Sequence, residues 1–325
     1  MPKVSIIIPM YNVEKYIEAC LDSVMNQTMN DYEVIVIDDG SRDHSYEKAL
    51  KYQSRYPQQM RVYKQENAGQ GAVRNNGVKM ASGEYILFVD SDDTVSEYFV
   101  EKAYKVITES QADIGIFDAV IVDENRQRKE DMTGCHCRNP ICNLLSYPQL
   151  LFEYPAPWNK IYKKELFIRN SLGYPTHMWY EDLVGATLFY TAADKIAVIH
   201  EPLYYYMQRS DSVMHSKVDA KNIEILKAMD MIRSFYRDKK IYNVYEAELE
   251  YLAIYHILVA AAGRTVKADA NSPFPSQFLA YMNEKFPEWK HNKYISSLSV
   301  MNKLKLKLLE NQQYKLIHLL YKFQR

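Results

Sequence analysis

Residues 85–93 read YILFVDSDD, an apolar run that is followed by an acidic cluster. The apolar run Tyr85–Val89 is typical of a strand that is buried on both faces of a sheet. It ends abruptly in the acidic cluster Asp90-Ser91-Asp92-Asp93. Because ligands of open α/β sheets bind at the carboxyl ends of the strands, this cluster predicts a binding site at the edge of a sheet.

The residues around this stretch alternate between strand and helix patterns. Strands are predicted at Val4–Pro9, Glu33–Ile37, Arg61–Gln65 and Asp113–Val122. Helices are predicted between them at Glu14–Gln27, His44–Arg55 and Gly71–Ala81. This alternation predicts an α/β, Rossmann-like fold with a mostly parallel sheet and helices on both faces.

The rest of the chain changes in character. A loop is predicted over residues 123–147, and helices at Trp158–Asn170 and Tyr180–Ala193. Beyond residue 215 the periodicity is helical, and no strand pattern as long as those of the first part remains. We therefore expect two domains, 1–215 and 216–325, the second of them helical.

Composition excludes several classes of protein. The 325 residues include 40 Lys+Arg and 41 Asp+Glu, and the net charge of −1 lacks the basic excess of a nucleic-acid binder. The longest apolar stretch, Leu252–Ala262, contains His256 and is too short to span a bilayer. No export signal is apparent at the N-terminus, so we expect a cytoplasmic protein.

Three cysteines lie close together in the predicted loop. Cys135-His136-Cys137 and Cys142 superficially resemble a zinc cluster, but the C-x-C spacing lacks the usual two-residue gap and no second ligand pair follows nearby. We therefore expect free thiols rather than a metal site.

The acidic cluster has the chemistry of a cation site. Alternate side chains at a strand end share a face, so Asp90 and Asp92 are expected to point to one site. Two hard oxygen ligands suit Mg²⁺ or Mn²⁺ bound through a substrate diphosphate.

Two further segments fit a nucleotide. Asp39 follows the second strand, where its carboxylate can accept a ring N–H such as that of uracil or simply cap a turn. The third helix opens after Gly69 and Gly71, which makes its N-terminus an anion site, and Arg74 can reach a diphosphate or an aspartate of the cluster.

Taken jointly, these motifs resemble the family 2 glycosyltransferases, which are inverting enzymes of GT-A fold. The match covers about residues 3–215. The motifs are Pro9-Met10-Tyr11-Asn12, Asp38-Asp39-Gly40-Ser41, Asn67-Ala68-Gly69 with Ala72–Gly77, and Val89–Asp93. Further along, Trp158-Asn159-Lys160 and Glu181-Asp182 resemble the acceptor-side segment and the catalytic acidic pair. Tyr204-Tyr205-Tyr206 with Arg209 and Ser212 resembles the closing segment of bacterial capsule, exopolysaccharide and teichoic-acid transferases.

The resemblance implies a role for each of these residues. Asp182 would be the general base beside Glu181, although an acidic pair also suits any helix N-terminus. Asp92, with Asp90, would hold Mn²⁺ or Mg²⁺. The implied donor contacts are Pro9, Tyr11, Asn12, Asp39, Asn67, Arg74, Asp90 and Ser91, with Arg209, Ser212 and His215 closing on the diphosphate. Trp158 and Lys160 would face the acceptor.

The implied partners are a nucleotide-sugar donor, most commonly UDP-linked in this group, and a glycan or lipid-linked acceptor. The Q-x-x-R-W element of processive synthases is missing, which indicates a non-processive enzyme. A homo-oligomer is compatible with the helical domain.

Two other functions stay open at this stage. Residues 86–94 imitate the D-x-D-x-T signature of haloacid dehalogenase phosphatases, in which the first aspartate, here Asp90, attacks phosphorus and Asp92 assists. That family carries the motif on its first strand, whereas three β/α units precede it here. A non-catalytic protein that binds sugar nucleotides is the other alternative.

Residues 303–325 contain six basic residues and a single acidic one, Glu310. Several leucines fall near one helical face, so this segment fits peripheral attachment to the inner face of the cell membrane, or packing within the helical domain or on a second subunit.

Overall fold

The computed structural model describes residues 2–209 and 220–323. The chain divides into two compact units, Met1–His177 with Glu181–Ser210 and Met178–Tyr180 with Asp211–Arg325. The boundary that we predicted near residue 215 lies outside the described residues.

The first unit is built on a sheet of ten strands. They are β1 Val4–Met10, β2 Tyr32–Asp38, β3 Met60–Lys64, β4 Tyr85–Phe88, β5 Thr94–Val95, β6 Ile114–Val122, β7 Arg128–Met132, β8 Ile141–Cys142, β9 Lys160–Lys163 and β10 Ile196–Met207. Their order is β3-β2-β1-β4-β9-β6-β10-β5, with β7 beside β6 and β8 beside β10.

Six α-helices lie among the described residues of this unit and cover the sheet on both sides. They are α1 Ile17–Met25, α2 Ser45–Arg55, α3 Gln70–Met80, α4 Phe99–Ser110, α5 Glu165–Arg169 and α6 Glu181–Ala192. Strands β1 and β2 are buried along their whole length, as their continuous apolar sequences predict. The predicted α/β class is therefore confirmed.

The sheet is mixed rather than mostly parallel. β1, β2, β3 and β4 run parallel to one another, but β9 lies antiparallel between β4 and β6. The helix predicted at Trp158–Asn170 is wrong over its first half, because Ile161 and Tyr162 are fully buried inside the sheet as part of β9. Tertiary burial overrides helical periodicity in so short a segment.

Two more differences concern irregular sequence. The predicted loop 123–147 contains the short strands β7 and β8, and the long strand β10 has no counterpart in the prediction. β10 pairs in parallel with β6 and carries two register shifts, which fits its lack of a clean alternating pattern.

The described part of the second unit is helical, as predicted. Its helices are α7 Glu224–Asp238, α8 Glu246–Ala253, α9 Ala262–Ala268, α10 Phe274–Lys285, α11 Val300–Glu310 and α12 Tyr314–Phe323, with a π-helical segment, Ile254–Ala261, between α8 and α9. Among the described residues, no helix is long and apolar enough to cross a membrane.

Candidate active site

Asp39 organises the loop that precedes α3. Its Oδ1 accepts hydrogen bonds from Gln65 Nε2 (2.8 Å) and the Ala68 amide (2.9 Å), and its Oδ2 accepts one from the Gly69 amide (2.9 Å). The Asn67 side chain donates to the Asp39 carbonyl at 2.9 Å. Gly69 has a φ of 84°, which an L side chain rarely adopts. Asp39 therefore shapes the entrance to α3, and its Oδ2 keeps capacity for a further donor.

The end of β1 is tied to the turn after β2. The Asn12 amide donates to Ser41 Oγ at 3.0 Å, and Asn12 Oδ1 accepts from the Arg42 amide at 2.8 Å. Asn12 takes a left-handed φ of 51°, which this residue type tolerates best after glycine. Tyr11 beside it is exposed, whereas Pro9 is buried within β1. Of these three residues, only Tyr11 presents a large exposed side chain.

Arg74 joins the two acidic segments of the site. Its Nη1 donates to Glu181 Oε1 at 2.9 Å, and its Nη2 lies 2.8 Å from Gln70 Oε1 and 3.4 Å from Asp90 Oδ1. Only 2% of its side chain is exposed. Burial opposes the charge, but the carboxylates of Asp90 and Glu181 outweigh it, so the pKa of Arg74 lies above its ordinary value.

The predicted catalytic pair begins α6. Asp182 Oδ1 accepts a hydrogen bond from the Leu183 amide at 2.8 Å, which offsets part of the cost of placing a charge there. Burial raises the pKa of both Glu181 and Asp182 above their ordinary values, while Arg74 acts in the opposite direction on each. Asp90 adds to the upward shift of the Asp182 pKa. A carboxylate with a raised pKa beside a cationic residue suits general base catalysis.

The three aspartates of the turn after β4 differ in burial and in their contacts. Asp90 and Asp92 remain partly exposed, with 22% and 23% of their side chains accessible. Asp92 Oδ2 lies 3.2 Å from Arg209 Nε. Asp93 is internal: it accepts hydrogen bonds from the Tyr204 hydroxyl and the Met207 amide, both at 2.7 Å. Burial raises the pKa of Asp93 well above its usual range. Asp93 thus fixes the turn to β10, whereas Asp90 and Asp92 keep part of their side chains exposed.

Asp90 and Asp92 fit a hard divalent cation. They are oxygen donors at a strand end, and each lies near an arginine that can also face a diphosphate. In residues 2–209 and 220–323 no group of three or more His, Cys, Asp or Glu side chains is arranged to hold a metal. Asp90 and Asp92 are the ligands that the acidic turn would supply, and substrate oxygens would complete the coordination.

The cysteine segment forms no disulfide among the described residues. Cys135, Cys137 and Cys142 are free and buried. The exposed ring of His136 lies 2.8 Å from Glu153 Oε2 through its Nδ1.

Trp158 and Lys160 lie in the interior rather than at an open surface. Lys160 is fully buried, and its Nζ donates to the Tyr154 carbonyl (3.0 Å), the Ala156 carbonyl (2.6 Å) and Asn159 Oδ1 (2.6 Å). Burial lowers the pKa of Lys160 to about 7. Because both side chains are buried, this geometry does not favour their direct contact with an acceptor. Trp158 and Lys160 instead stabilise the loop that leads into β9.

Two tyrosines were assigned no individual role from the sequence, although Tyr204 was named as part of the closing segment. The Tyr204 hydroxyl accepts from the Asp90 amide at 3.0 Å, so this tyrosine holds both Asp90 and Asp93. Tyr154 is exposed and packs against Trp158. A run of three tyrosines at 204–206 was the only available signal for the first, and an aromatic residue between Glu153 and Pro155 is no signal for the second.

The structure thus brings together Arg74, Asp90, Glu181 and Asp182, and it places Arg209 on Asp92. Ser91 is buried beside them. Asp39 and Asn67 hold the loop that precedes α3. The predicted donor contacts Ser212 and His215 lie outside the described residues, as does Asp211.

Known proteins resemble this chain in both sequence and fold. A family model described as glycosyl transferase family 2 matches residues 5–180. The glycosyltransferase GlyA of Streptococcus pneumoniae is 32% identical over 240 residues, which are 69% of this chain and 34% of GlyA. GlyG of the same organism is 32% identical over 229 residues, which are 66% of this chain and 74% of GlyG. The chain therefore spans about a third of the length of GlyA and about three quarters of GlyG.

A solved structure extends the likeness over nearly the whole chain. S. aureus TarS 1–349 in complex with UDP-GlcNAc superposes with a TM-score of 0.62 at 23% identity, covering 98% of this chain and 91% of the other. In sequence, the poly(ribitol-phosphate) beta-N-acetylglucosaminyltransferase TarS of Staphylococcus aureus is 28% identical over 65% of this chain and 36% of TarS. The fold is therefore that of a GT-A enzyme.

Proposed function

Because this chain belongs to glycosyl transferase family 2, we propose that it transfers a sugar from a nucleotide-sugar donor to a hydroxyl of a glycan or lipid-linked acceptor. The observation that carries this proposal is the contact of Arg74 with both Glu181 and Asp90. Through this contact, Arg74 links the pair Glu181 and Asp182, whose pKa values are raised, to the acidic turn after β4. The phosphatase alternative is not supported, since neither the family match nor the relatives point to it.

The donor that we propose is UDP-linked. TarS, whose fold this chain shares, was crystallised with UDP-GlcNAc, and this supports the assignment. Asp39, with its remaining acceptor capacity, would receive the N–H of the base, and the exposed ring of Tyr11 would contact the nucleoside. Asn12 and Asn67 would act indirectly, by holding the two loops that frame the base.

Asp182 would remove the proton from the acceptor hydroxyl as that oxygen attacks the anomeric carbon. Burial raises the pKa of Asp182, which makes its carboxylate a stronger base, and Arg74 opposes that shift. Glu181 would position Arg74 rather than exchange protons itself. An inverting transfer needs one base and no covalent intermediate, and Asp182, the member of the pair that is not bonded to Arg74 through its carboxylate, would fill that role.

The departing diphosphate needs positive charge. Arg209, held near Asp92, and Arg74, held near Asp90, would supply this charge beside the acidic turn. Asp92 and Asp90 would hold Mn²⁺ or Mg²⁺. When bound, such an ion neutralises charge on the diphosphate oxygens.

We further propose that the enzyme builds a bacterial surface polysaccharide and works at the inner face of the membrane. The poly(ribitol-phosphate) acceptor in the name of TarS supports a polymer of this kind. Helix α12 supports the location: Leu316, Leu319 and Phe323 are exposed, and a period of 100° per residue puts them on one stripe with Lys315 and Lys322. Basic amphipathic helices of this type bind anionic leaflets.

The decisive experiment measures donor binding and turnover together. UDP-, GDP-, CMP- and dTDP-sugars are added to the protein with and without Mn²⁺, and the unfolding midpoint is followed. A ligand at 100 times its Kd stabilises the native state by about 2.7 kcal/mol, so a UDP-sugar should raise the midpoint by several degrees. Asp92→Ala should abolish Mn²⁺-dependent turnover and leave the fold intact, whereas the exposed Glu109→Ala serves as its control.

Three results would count against the proposal. Absence of a shift with every nucleotide-sugar removes the transferase assignment. Binding without turnover on any acceptor favours the non-catalytic alternative. Full activity after exhaustive EDTA treatment removes the metal from the assignment and leaves the rest.

A further inference from the structure

We propose that the ring of Tyr154 is a platform on which the apolar face of a pyranose ring stacks in the active site. This inference rests on the proposed function. Tyr154 keeps 44% of its surface exposed, although its neighbours Glu153, Ala156 and Trp158 are buried. Exposing a large aromatic ring at a fixed place in a polar site is the arrangement by which proteins offer a flat apolar surface to a ligand.

The backbone on either side of Tyr154 is unusually constrained. Proline follows at positions 155 and 157, which fixes two φ angles. On one side the Lys160 ammonium holds the carbonyls of Tyr154 and Ala156 at 3.0 and 2.6 Å. On the other side Glu153 accepts hydrogen bonds from the His136 amide (2.8 Å) and the Tyr147 hydroxyl (3.0 Å). The ring is therefore presented by a preorganised loop, and binding against it costs little ordering entropy.

Aromatic packing connects this loop to the acidic turn. Tyr154 lies 5.7 Å from the Trp158 ring, centroid to centroid, at an angle of 52°. Trp158 in turn stacks on Tyr204 at 4.4 Å and 14°, and the Tyr204 hydroxyl holds the Asp90 amide. A continuous series of contacts through Trp158 and Tyr204 therefore connects the ring of Tyr154 to the backbone of Asp90.

The ionisation of Tyr154 agrees with this position. Burial of its hydroxyl raises the pKa, and the charges of Tyr206, Asp182 and Asp90 raise it further. The phenol therefore keeps its proton and can donate to a sugar hydroxyl near the acidic pair. An aromatic face with a hydroxyl at its edge matches a pyranose, which has an apolar C–H face and a rim of hydroxyls.

The pyranose can belong to the donor or to the acceptor, and the chemistry is the same for both. The test therefore measures each separately in the full chain. Calorimetric titration gives the Kd of UDP and of UDP-glucose, UDP-galactose and UDP-GlcNAc. Saturation-transfer NMR measures binding of a panel of methyl hexopyranosides to the UDP-saturated protein.

We expect Tyr154→Ala to leave the Kd of UDP unchanged and to weaken sugar binding by about tenfold or more, as is typical of truncating a central aromatic contact. If the Kd of UDP-sugars rises in Tyr154→Ala, the donor sugar stacks on Tyr154. If the saturation-transfer signal of the methyl hexopyranosides is lost, the acceptor sugar stacks there. Tyr154→Phe keeps the stacking face and should lose less than the alanine variant. Tyr98→Ala removes another tyrosine, exposed by 43%, and is the matched control.

The outcomes separate this proposal from the function beneath it. If the parent protein binds UDP-sugars and Tyr154→Ala binds both kinds of sugar equally well, the platform is overturned and the transferase assignment stands. If the parent protein binds no nucleotide-sugar, both are overturned. The unfolding midpoint of each variant confirms that the loop still folds.

Discussion

Arg74 carries its positive charge in the interior, and the carboxylates around it are the reason. A buried guanidinium without partners would be strongly destabilising, but Glu181 lies 2.9 Å away and Asp90 3.4 Å away. The same contacts hold the two acids in place. Because one residue satisfies both, the positions of α6 and of the strand-end turn are coupled at the level of a single side chain.

The first prediction concerns the general base. Asp182→Asn keeps the size of the side chain and removes its proton affinity, so donor binding should persist while transfer falls by about 10²–10⁴-fold. Steady-state transfer rates and donor Kd values measure the two effects. Asp194→Asn, an exposed substitution just beyond the end of α6, should change neither. Transfer at the parental rate would move the base elsewhere, first to Glu181 and then to Asp211.

The second prediction concerns pH. Burial raises the Asp182 pKa above its ordinary value of 3.8, and the base is active only when ionised. Activity should therefore fall as the pH drops through a midpoint above 3.8. Arg74 lowers the pKa of both acids, so Arg74→Gln should move this midpoint further upward. A pH profile of kcat/KM that is unchanged in Arg74→Gln would show that the titrating group lies outside its influence.

Two glycines allow helix α3, which carries Arg74, to pack closely against its neighbours. Gly77 lies against β1, where an added Cβ would come within 2.4 Å of Ile7 Cγ2. Gly71 lies against the segment before the acidic pair, where a Cβ would come within 2.1 Å of the Pro175 carbonyl oxygen. Both glycines cost helix stability, but each permits a close approach that a side chain would prevent.

The third prediction follows from this packing. Gly71→Ala should destabilise the protein by about 1–3 kcal/mol, because a backbone carbonyl cannot move aside as a flexible side chain can. Denaturant unfolding measures the loss. Lys79→Ala, at an exposed position of the same helix, should change stability by less than about 0.5 kcal/mol. A Gly71→Ala variant as stable as the parent would mean that α3 shifts freely on the sheet.

At the scale of the whole molecule, the fourth prediction concerns location. The full chain should float with vesicles that contain phosphatidylglycerol and not with phosphatidylcholine alone, because each lysine near an anionic surface contributes about 1 kcal/mol. Replacing Leu316, Leu319 and Phe323 together by serine should abolish flotation. Val244→Ser removes an apolar residue with 61% exposure elsewhere in the same unit and is the control.

Flotation that survives the triple substitution would refute the α12 stripe as the contact. If the parent chain does not float, Leu316, Leu319 and Phe323 contact protein rather than lipid, either within this chain or on a second copy of it. Analytical ultracentrifugation of the parent and the triple variant distinguishes a second copy.

The family, the α/β class and the acidic residues of the candidate site could all be predicted from the sequence. Continuous apolar runs such as Val4–Met10 are read locally, and polar residues at strand ends converge because parallel strands end at one edge. These features depend on neighbours in the chain, so they are visible without a structure.

The roles of neighbouring residues depend on contacts that are distant in sequence. Strand alternation predicted that Asp90 and Asp92 share a face, but the burial of Asp93 depends on Tyr204, which is 111 residues away, while Asp90 and Asp92 stay partly exposed. Likewise, β9 became a strand because β4 and β6 flank it, and Lys160 was drawn inside with it. Burial and pairing at long range set these outcomes, and no local pattern encodes them.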